Sequence, residues 1–308
     1  MSKEKNKSDK EKKRHAVRKR TGLQLYIFIA PVTIGLLIFY VWPFIQNFWF
    51  SFNDVNKFNM ATFCGLDNYK KLFEEPDLML ALKNTILYAV ITVPIGLFIS
   101  LLLATLLNSK IKGKGIYRTI YFLPSITMAA AVALVWKLIF NGDYGILNTI
   151  LGAFGLEGKS WLTDPGTALF CVMMVGIWSG AGYNMIILLA GMQGVSNSYY
   201  EAAEIDGAGP VQKFFKITIP LVSPTIFFVT ITGLIGAFQV FDTLYMMIDP
   251  DKNPAFNAVK TTNVLFYQNA FMYGYKGYAA AISIFMFIII MIITAIQLWG
   301  QKKWVNYD

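Results

Sequence analysis

The sequence predicts an all-α membrane protein with six transmembrane helices and both termini in the cytoplasm. Three observations lead there. The 308-residue chain is 56% hydrophobic and only 15% charged, with a mean hydropathy of +0.50, which is membrane composition. Six apolar stretches are long enough to cross about 30 Å of hydrocarbon as helix. They are Leu23–Ile45, Leu82–Leu107, Ile120–Phe140, Ala168–Met192, Leu221–Ile248 and Tyr278–Trp299. None alternates apolar with polar residues as a barrel strand must, so a helical bundle is the spanning structure that satisfies the backbone.

Residues 1–22 read as a basic, disordered cytoplasmic tail. Residues 1–20 hold ten Lys/Arg against three Asp/Glu. Placed directly before the first span, this charge holds the N-terminus inside by the positive-inside rule and does not point to nucleic acid. The first apolar run is too long for a signal-peptide core, so it reads as a retained anchor. Six spans then return the C-terminus to the cytoplasm. Residues 23–308 form a single transmembrane domain.

Span 1 contains Pro31 and ends near Pro43. Residues 46–81 form a long outside segment with Trp49 and Tyr69 as interfacial anchors. Residues 108–118, NSKIKGKGIYR, form a short basic inside loop, and residues 141–167 a Gly-rich outside loop with a short surface helix. Cys64 falls in an outside loop and Cys171 inside span 4, depths that do not suit a disulfide. The lone histidine, His15, lies in the tail, which excludes a histidine-based catalytic or zinc centre in the bundle.

The inside segment at 194–220 departs from the bias of such loops. Its stretch 201–220, EAAEIDGAGPVQKFFKITIP, sets Glu201, Glu204 and Asp206 against Lys213 and Lys216. A cytoplasmic loop with an acidic excess docks onto something other than lipid. Ser198 and Glu201 read as a capping box, Tyr199–Asp206 as about two turns of helix, and Gly207 as its left-handed stop. Pro210 suits the first position of a second short helix, and Pro220 marks the entry to span 5. A helix so short is not stable alone and needs a protein surface to pack on.

Mid-membrane depth locates a candidate substrate path. At about 1.5 Å per residue, Ser179 and Gly180 of span 4, and Gly233 and Gly236 of span 5, all reach the middle of the bilayer. Glycine leaves room for a ligand, and Trp178 and Tyr183 offer aromatic faces and a hydroxyl. Small residues in membrane helices also mark close helix packing, and the two roles compete at Gly233 and Gly236. Asp242, about 31 Å along the helix from Leu221, is a cap or gate near the outer interface.

The spacing Glu201-Ala202-Ala203, three residues, Gly207, nine residues, Ile217-Thr218-Ile219-Pro220 resembles the cytoplasmic loop motif of bacterial ABC-importer permeases. Ile219 in place of Leu is its one mild departure. FCGLDNYKKLF at 63–73, YRTIYFLPS at 117–125, WLTDPGTAL at 161–169, GIWSGAGYNMIILLAGMQ at 176–193 and FQVFDTLYMM at 238–247 extend the likeness to the maltose-type sugar-uptake branch. That family often has Gly-Gly-Pro after span 5. Here Asp249-Pro250-Asp251-Lys252-Asn253-Pro254 stands instead, and a differently shaped loop is expected.

The resemblance implies the type I ABC importer permease fold in a bacterial plasma membrane. It implies a second related permease, two cytoplasmic ATPase subunits and an extracellular sugar-binding protein. This chain would bind no cofactor, and the partner ATPase would use ATP and Mg²⁺. Glu201, Ala202, Ala203, Glu204, Asp206 and Gly207 would couple to that ATPase, with Glu201 facing a basic residue on it. Gly176, Ser179, Gly180, Tyr183, Gly233, Gly236, Ala237 and Val240 match the family's substrate region, beside Trp178. The alternative is an ion-coupled secondary transporter or channel for small polar solutes, which would want charge at mid-depth. A membrane-embedded enzyme would want paired carboxylates or a nucleophile cluster in the bundle. The chain has no GxxxxGK[ST] loop of its own.

Overall fold

The computed structural model describes residues 27–56, 60–109 and 111–306. The basic tail, His15, residues 23–26 of the first predicted span and Lys110 lie outside the described residues. Among the described residues, five helices are long and apolar enough to cross a membrane: α1 (Ile27–Phe50), α3 (Pro76–Asn108), α7 (Ala168–Gln193), α9 (Pro210–Phe238) and α13 (Lys276–Gln301). A bent pair, α4 (Lys114–Ile126) and α5 (Ala129–Ile139), makes up to a sixth span. Shorter helices fill the connections: α2 (Asp67–Glu74), α6 (Ile146–Ala153), α8 (Asn197–Ile205), α10 (Asp242–Met247), α11 (Phe256–Val259) and α12 (Thr262–Tyr267). A two-stranded antiparallel hairpin, β1 (Asn53–Val55) with β2 (Ala61–Phe63), caps the end opposite α8.

The third predicted span is not one straight helix. Its two halves meet at 98° around Thr127 and Met128. Pro124 removes the donor that the Ile120 carbonyl would use. The hydroxyls of Ser125 and Thr127 donate back to the carbonyls of Phe122 and Leu123, at 2.7 and 2.8 Å, a bonding pattern that bends helices. Hydropathy registers none of this.

The fifth predicted span also ends early, at Phe238 and not Ile248. Side chains from distant sequence cap that end: Asn263 Nδ2 donates to the Gln239 carbonyl and Thr261 Oγ1 to the Val240 carbonyl, each at 3.0 Å. Asp242 therefore begins the separate helix α10, and a depth counted along one continuous helix does not apply to it. At its other end α9 is longer than expected. The separate short helix expected at Pro210 runs into the span through a wide turn at Phe214–Thr218. A similar wide turn, Leu37–Val41, precedes Pro43 in α1. In both places the register widens two residues ahead of a proline, so one missing donor is absorbed without breaking the helix.

Helix α7 lies at the centre, with α3 along one side, α4 along another and α9 crossing both α3 and α7. One apolar cluster holds Tyr88, Val172, Met173, Phe238 and Phe256; a second, toward α8, holds Ala104, Met185, Leu188 and Val222. Buried Ser100 links two of these helices: its Oγ donates to the carbonyls of Gly96 and Ala181, at 2.6 and 3.0 Å. In contrast, α1 buries no side chain in the stretch Leu37–Phe50. It meets α13 through Phe44 against Phe287, ring centroids 5.1 Å apart, and through Asn47 donating to Ser283 at 3.2 Å.

The FCGLDNYKKLF segment forms the hub at the hairpin end. Buried Asn68 donates to the carbonyls of Ser51 and Asn53 at 3.0 and 2.9 Å, and Tyr69 reaches Ser51 Oγ at 2.7 Å. The start of α13 passes so close that a β-carbon on Gly277 would overlap the Asn53 carbonyl. Two substitutions test this hub. Asn68→Ala orphans two carbonyls and lowers stability by about 1–3 kcal/mol, and Gly277→Ala, which must displace backbone, lowers it at least as much. Thermal unfolding of the detergent-purified chain measures both, and an unchanged melting curve in either removes that contact from the account.

Candidate functional site

A cavity of about 210 Å³ lies where α3, α7 and α9 meet. Helix α3 contributes Tyr88, Thr92, Val93, Gly96 and Leu97; α7 contributes Gly176, Ile177, Gly180 and Asn184; α9 and its exit contribute Val229, Gly233, Gly236, Ala237 and Val240. Tyr88 and Ala237 belong to one apolar cluster and Val229 to the other, so the cavity lies between them. Its polar groups are neutral: a phenol, a hydroxyl and a carboxamide. No charged side chain lines it among the described residues.

Each glycine here has a distinct role. A β-carbon on Gly176 would overlap the Tyr88 hydroxyl, so this glycine makes the seat for that ring. A β-carbon on Gly182 would overlap the backbone carbonyl of Tyr121, so Gly182 lets α4 approach α7 at backbone contact. Gly180 and Gly236 meet nothing within 4 Å, and Gly233 meets only the Val93 side chain at an ordinary 3.5 Å. Gly176 and Gly182 thus receive close neighbours, whereas Gly180 and Gly236 leave volume.

Six of the expected residues line the cavity: Gly176, Gly180, Gly233, Gly236, Ala237 and Val240. Three others do not. Trp178 turns away and meets Trp136 edge-on, centroids 5.4 Å apart. Ser179 donates to the Gly176 carbonyl at 3.3 Å. Tyr183 is 53% exposed beside the cavity. Aromatic content alone does not tell which side of α7 faces inward. Sequence reasoning missed Tyr88, Thr92 and Asn184. The signal for the first two was present as a stripe of small and polar residues through an apolar span, Thr85, Tyr88, Thr92, Gly96 and Ser100, at helical three- and four-residue steps.

The second candidate region is the α8 loop. Ser196, and not Ser198, is its N-cap: the Ser196 hydroxyl accepts from the Ser198 N–H at 3.4 Å, and the helix starts at Asn197. Gly207 closes it with φ +73°. The Gly207 N–H donates to the Glu204 carbonyl at 3.0 Å and the Ala208 N–H to the Ala203 carbonyl at 2.8 Å, the paired bonds of a Schellman stop. Ala203 and Ala208 both sit half-buried at that turn.

Two side-chain contacts fasten the inner face of α8 to the first turns of α9. Tyr200 Oη lies 3.0 Å from Thr218 Oγ1, and Lys213 Nζ lies 2.7 Å from Glu204 Oε1. The Lys213 hydrogen bond and charge hold the Glu204 carboxyl below its ordinary range. A lowered carboxyl keeps its link at neutral pH and loses it only as pH falls through that lowered value. Glu201, Ala202, Ile205 and Asp206 are left exposed, Ile205 at 87%.

The altered loop at 249–254 has its own order. Asp249 Oδ1 accepts from the Asp251 N–H at 2.9 Å, and Asn253 Nδ2 donates to the Leu162 carbonyl at 3.0 Å. Side-chain turns tie 249–254 to the loop before α7.

A bundle of apolar helices around an uncharged cavity, with a capped polar helix fastened at one end, defines a multi-pass membrane transport component. The chain belongs to the binding-protein-dependent transport system inner membrane components, whose family model matches residues 93–305. It is 37% identical to the probable ABC transporter permease protein YesP of Bacillus subtilis (strain 168), over 98% of both chains. It is 33% identical to the lactose transport system permease protein LacF of Rhizobium radiobacter, over 90% of this chain and 94% of that one. It is 32% identical to the sn-glycerol-3-phosphate transport system permease protein UgpA of Pectobacterium atrosepticum, over 92% and 95%. A bacterial alginate ABC transporter, solved in complex with alginate pentasaccharide-bound periplasmic protein, superposes with a TM-score of 0.81 at 25% identity, covering 92% of this chain and 96% of that one.

The cavity assignment separates two glycines two residues apart. Gly180→Leu fills open space, so membrane yield stays at the wild-type level while import falls at least tenfold. Gly182→Ala drives a β-carbon into backbone, so yield itself falls. Quantitative immunoblotting of membranes beside an uptake assay reads both, and equal yields with equal uptake would contradict the division.

Proposed function

We propose that this chain is one of two permease subunits in an ATP-driven importer for a neutral di- or oligosaccharide delivered by an extracellular binding protein. The observation that carries the reading is the α8 loop. Its termini, its inner face and its link to α9 are all satisfied within the chain, while Glu201, Ala202 and Ile205 remain outward. A two-turn helix built this way is a rigid contact for a protein surface. In the proposed assembly that surface belongs to two cytoplasmic ATPase subunits, which bind and hydrolyse ATP with Mg²⁺. Glu201 faces a basic residue of the ATPase, Ala202 and Ile205 seat in its groove, and Gly207 fixes the exit of the chain from the contact.

The cavity supports the substrate class. Tyr88, Thr92 and Asn184 offer hydroxyl and amide groups to sugar hydroxyls, and a transported phosphate would want Lys or Arg there. The relatives' substrates include lactose and sn-glycerol-3-phosphate by name; the neutral lining favours the former kind. The same lining weighs against ion coupling. A volume of about 210 Å³ is below the range of about 300–1,000 Å³ usual for small-molecule pockets, so the second permease completes the site. Displacement of α8 by the ATPases passes into α9 through Lys213, Thr218 and the continuous helix, and reaches Gly233 and Gly236.

Reconstitution with the second permease, the ATPase and the binding protein tests this, using a panel of neutral sugars and sugar phosphates. Uptake of a neutral sugar that requires both ATP and the binding protein is the expected result. Uptake driven by an ion gradient without ATP would overturn it. Within that system Glu201→Lys lowers import at least fivefold at unchanged membrane insertion and weakens co-purification of the ATPase. Normal import with normal co-purification removes Glu201 from the contact.

A further inference from the structure

Beyond α13, residues 302–306 fold back onto the middle of α9. Trp304 meets Phe227 edge-on, with ring centroids 5.9 Å apart. The Asn306 N–H donates to Ser223 Oγ at 3.0 Å, and the Ser223 hydroxyl donates in turn to the Pro220 carbonyl at 2.6 Å. Asn306 Nδ2 adds a long contact to the same carbonyl at 3.5 Å. Ser223 is 2% exposed.

The target of this relay is specific. In a regular helix the Pro220 carbonyl would accept from the N–H four residues on, but residue 224 is proline and has none. An unsatisfied carbonyl beside a proline is where helices kink. This weak point stands between the turns fastened to α8, at Lys213 and Thr218, and the cavity glycines, of which Gly233 is about 14 Å further along. A bend at Pro224 would absorb movement of α8 before it reached the cavity.

We propose that Trp304 and Asn306, acting through Ser223, are positioning residues that stiffen this proline joint, so that displacement of α8 is transmitted along α9 and shared with α13. The proposal rests on the transport reading above for its functional consequence, but its structural part stands apart from it. With the joint held, little ATP is hydrolysed without import. With it loosened, α8 moves while the cavity lags, and hydrolysis is wasted.

The test is a cycle of substitutions in the full complex. Ser223→Ala removes the donor to the Pro220 carbonyl. Pro224→Ala restores a backbone N–H in its place. Hydrogen–deuterium exchange of peptides covering 219–228 reports the joint, and ATP hydrolysed per sugar imported reports its consequence. Ser223→Ala is expected to speed exchange there roughly fivefold to tenfold, the change in open population that one hydrogen bond supplies. It should also raise ATP per sugar at least twofold. Trp304→Ala, which leaves Ser223 in place, moves both readouts the same way. In the Pro224→Ala background Ser223→Ala becomes silent in both. Unchanged exchange in Ser223→Ala, or no rescue by Pro224→Ala, overturns the stiffening. Faster exchange with unchanged ATP per sugar overturns the coupling role. A wild-type complex that imports no sugar contradicts the transport reading instead, and the exchange cycle still decides the joint.

Discussion

Backbone-to-backbone approach along α7 is the constraint on which the rest of the bundle depends. The glycine at position 182 brings α4 into contact with α7, and Gly176 receives the hydroxyl end of Tyr88 from α3. In lipid, such contacts supply dispersion attraction where a difference in hydrophobicity between helix and surroundings is missing. Once α7 holds α3 and α4 this closely, the glycines that receive no close neighbour leave volume. The cavity at Gly180, Gly233 and Gly236 is that remainder. Packing and cavity are consequences of one arrangement of small residues.

Satisfaction of the backbone shapes everything that departs from straight helix. Prolines at 43, 124, 220 and 224 each delete a donor. Wide turns answer the first and third and the Ser223 relay the fourth, while at the second the helix bends and the hydroxyls of Ser125 and Thr127 take the neighbouring carbonyls of Phe122 and Leu123. At the end of α9 remote from α8, Thr261 and Asn263 take the last carbonyls and set where the helix stops. In hydrocarbon an orphan carbonyl costs several kcal/mol, so these contacts decide where the helices of the bundle bend and stop.

That accounting also explains what could be read from the sequence. Long apolar runs reported α1, α3, α7 and α13 because burial in lipid depends on local composition. The stop at Gly207 and the start at Pro210 were legible because left-handed backbone and a fixed φ are local demands. The 98° bend between α4 and α5 was hidden, since it turns on how Pro124, Ser125 and Thr127 share carbonyls. The early end of α9 was hidden because its caps come from residues more than twenty positions away. Ser198 displaced Ser196 as the expected cap because two serines stand two residues apart and motif spacing favours the wrong one. Trp178 and Tyr183 drew attention by chemistry, but only the packing of α3 on α7 shows that the inward side passes through Gly180 and Asn184.

The central claim is that the open glycines border the transport path while their packed neighbour does not. Thiol labelling tests it most directly, in a chain whose Cys64 and Cys171 have been replaced by serine and alanine. A small hydrophilic maleimide is applied to Gly180→Cys, Gly236→Cys and Ala181→Cys, the last a buried position that already carries a β-carbon, in the reconstituted complex, with and without the transported sugar. The account predicts labelling at 180 and 236 that the sugar slows, and no labelling at 181. Equal labelling at all three positions, or labelling at 180 and 236 that saturating sugar leaves unchanged, would contradict it.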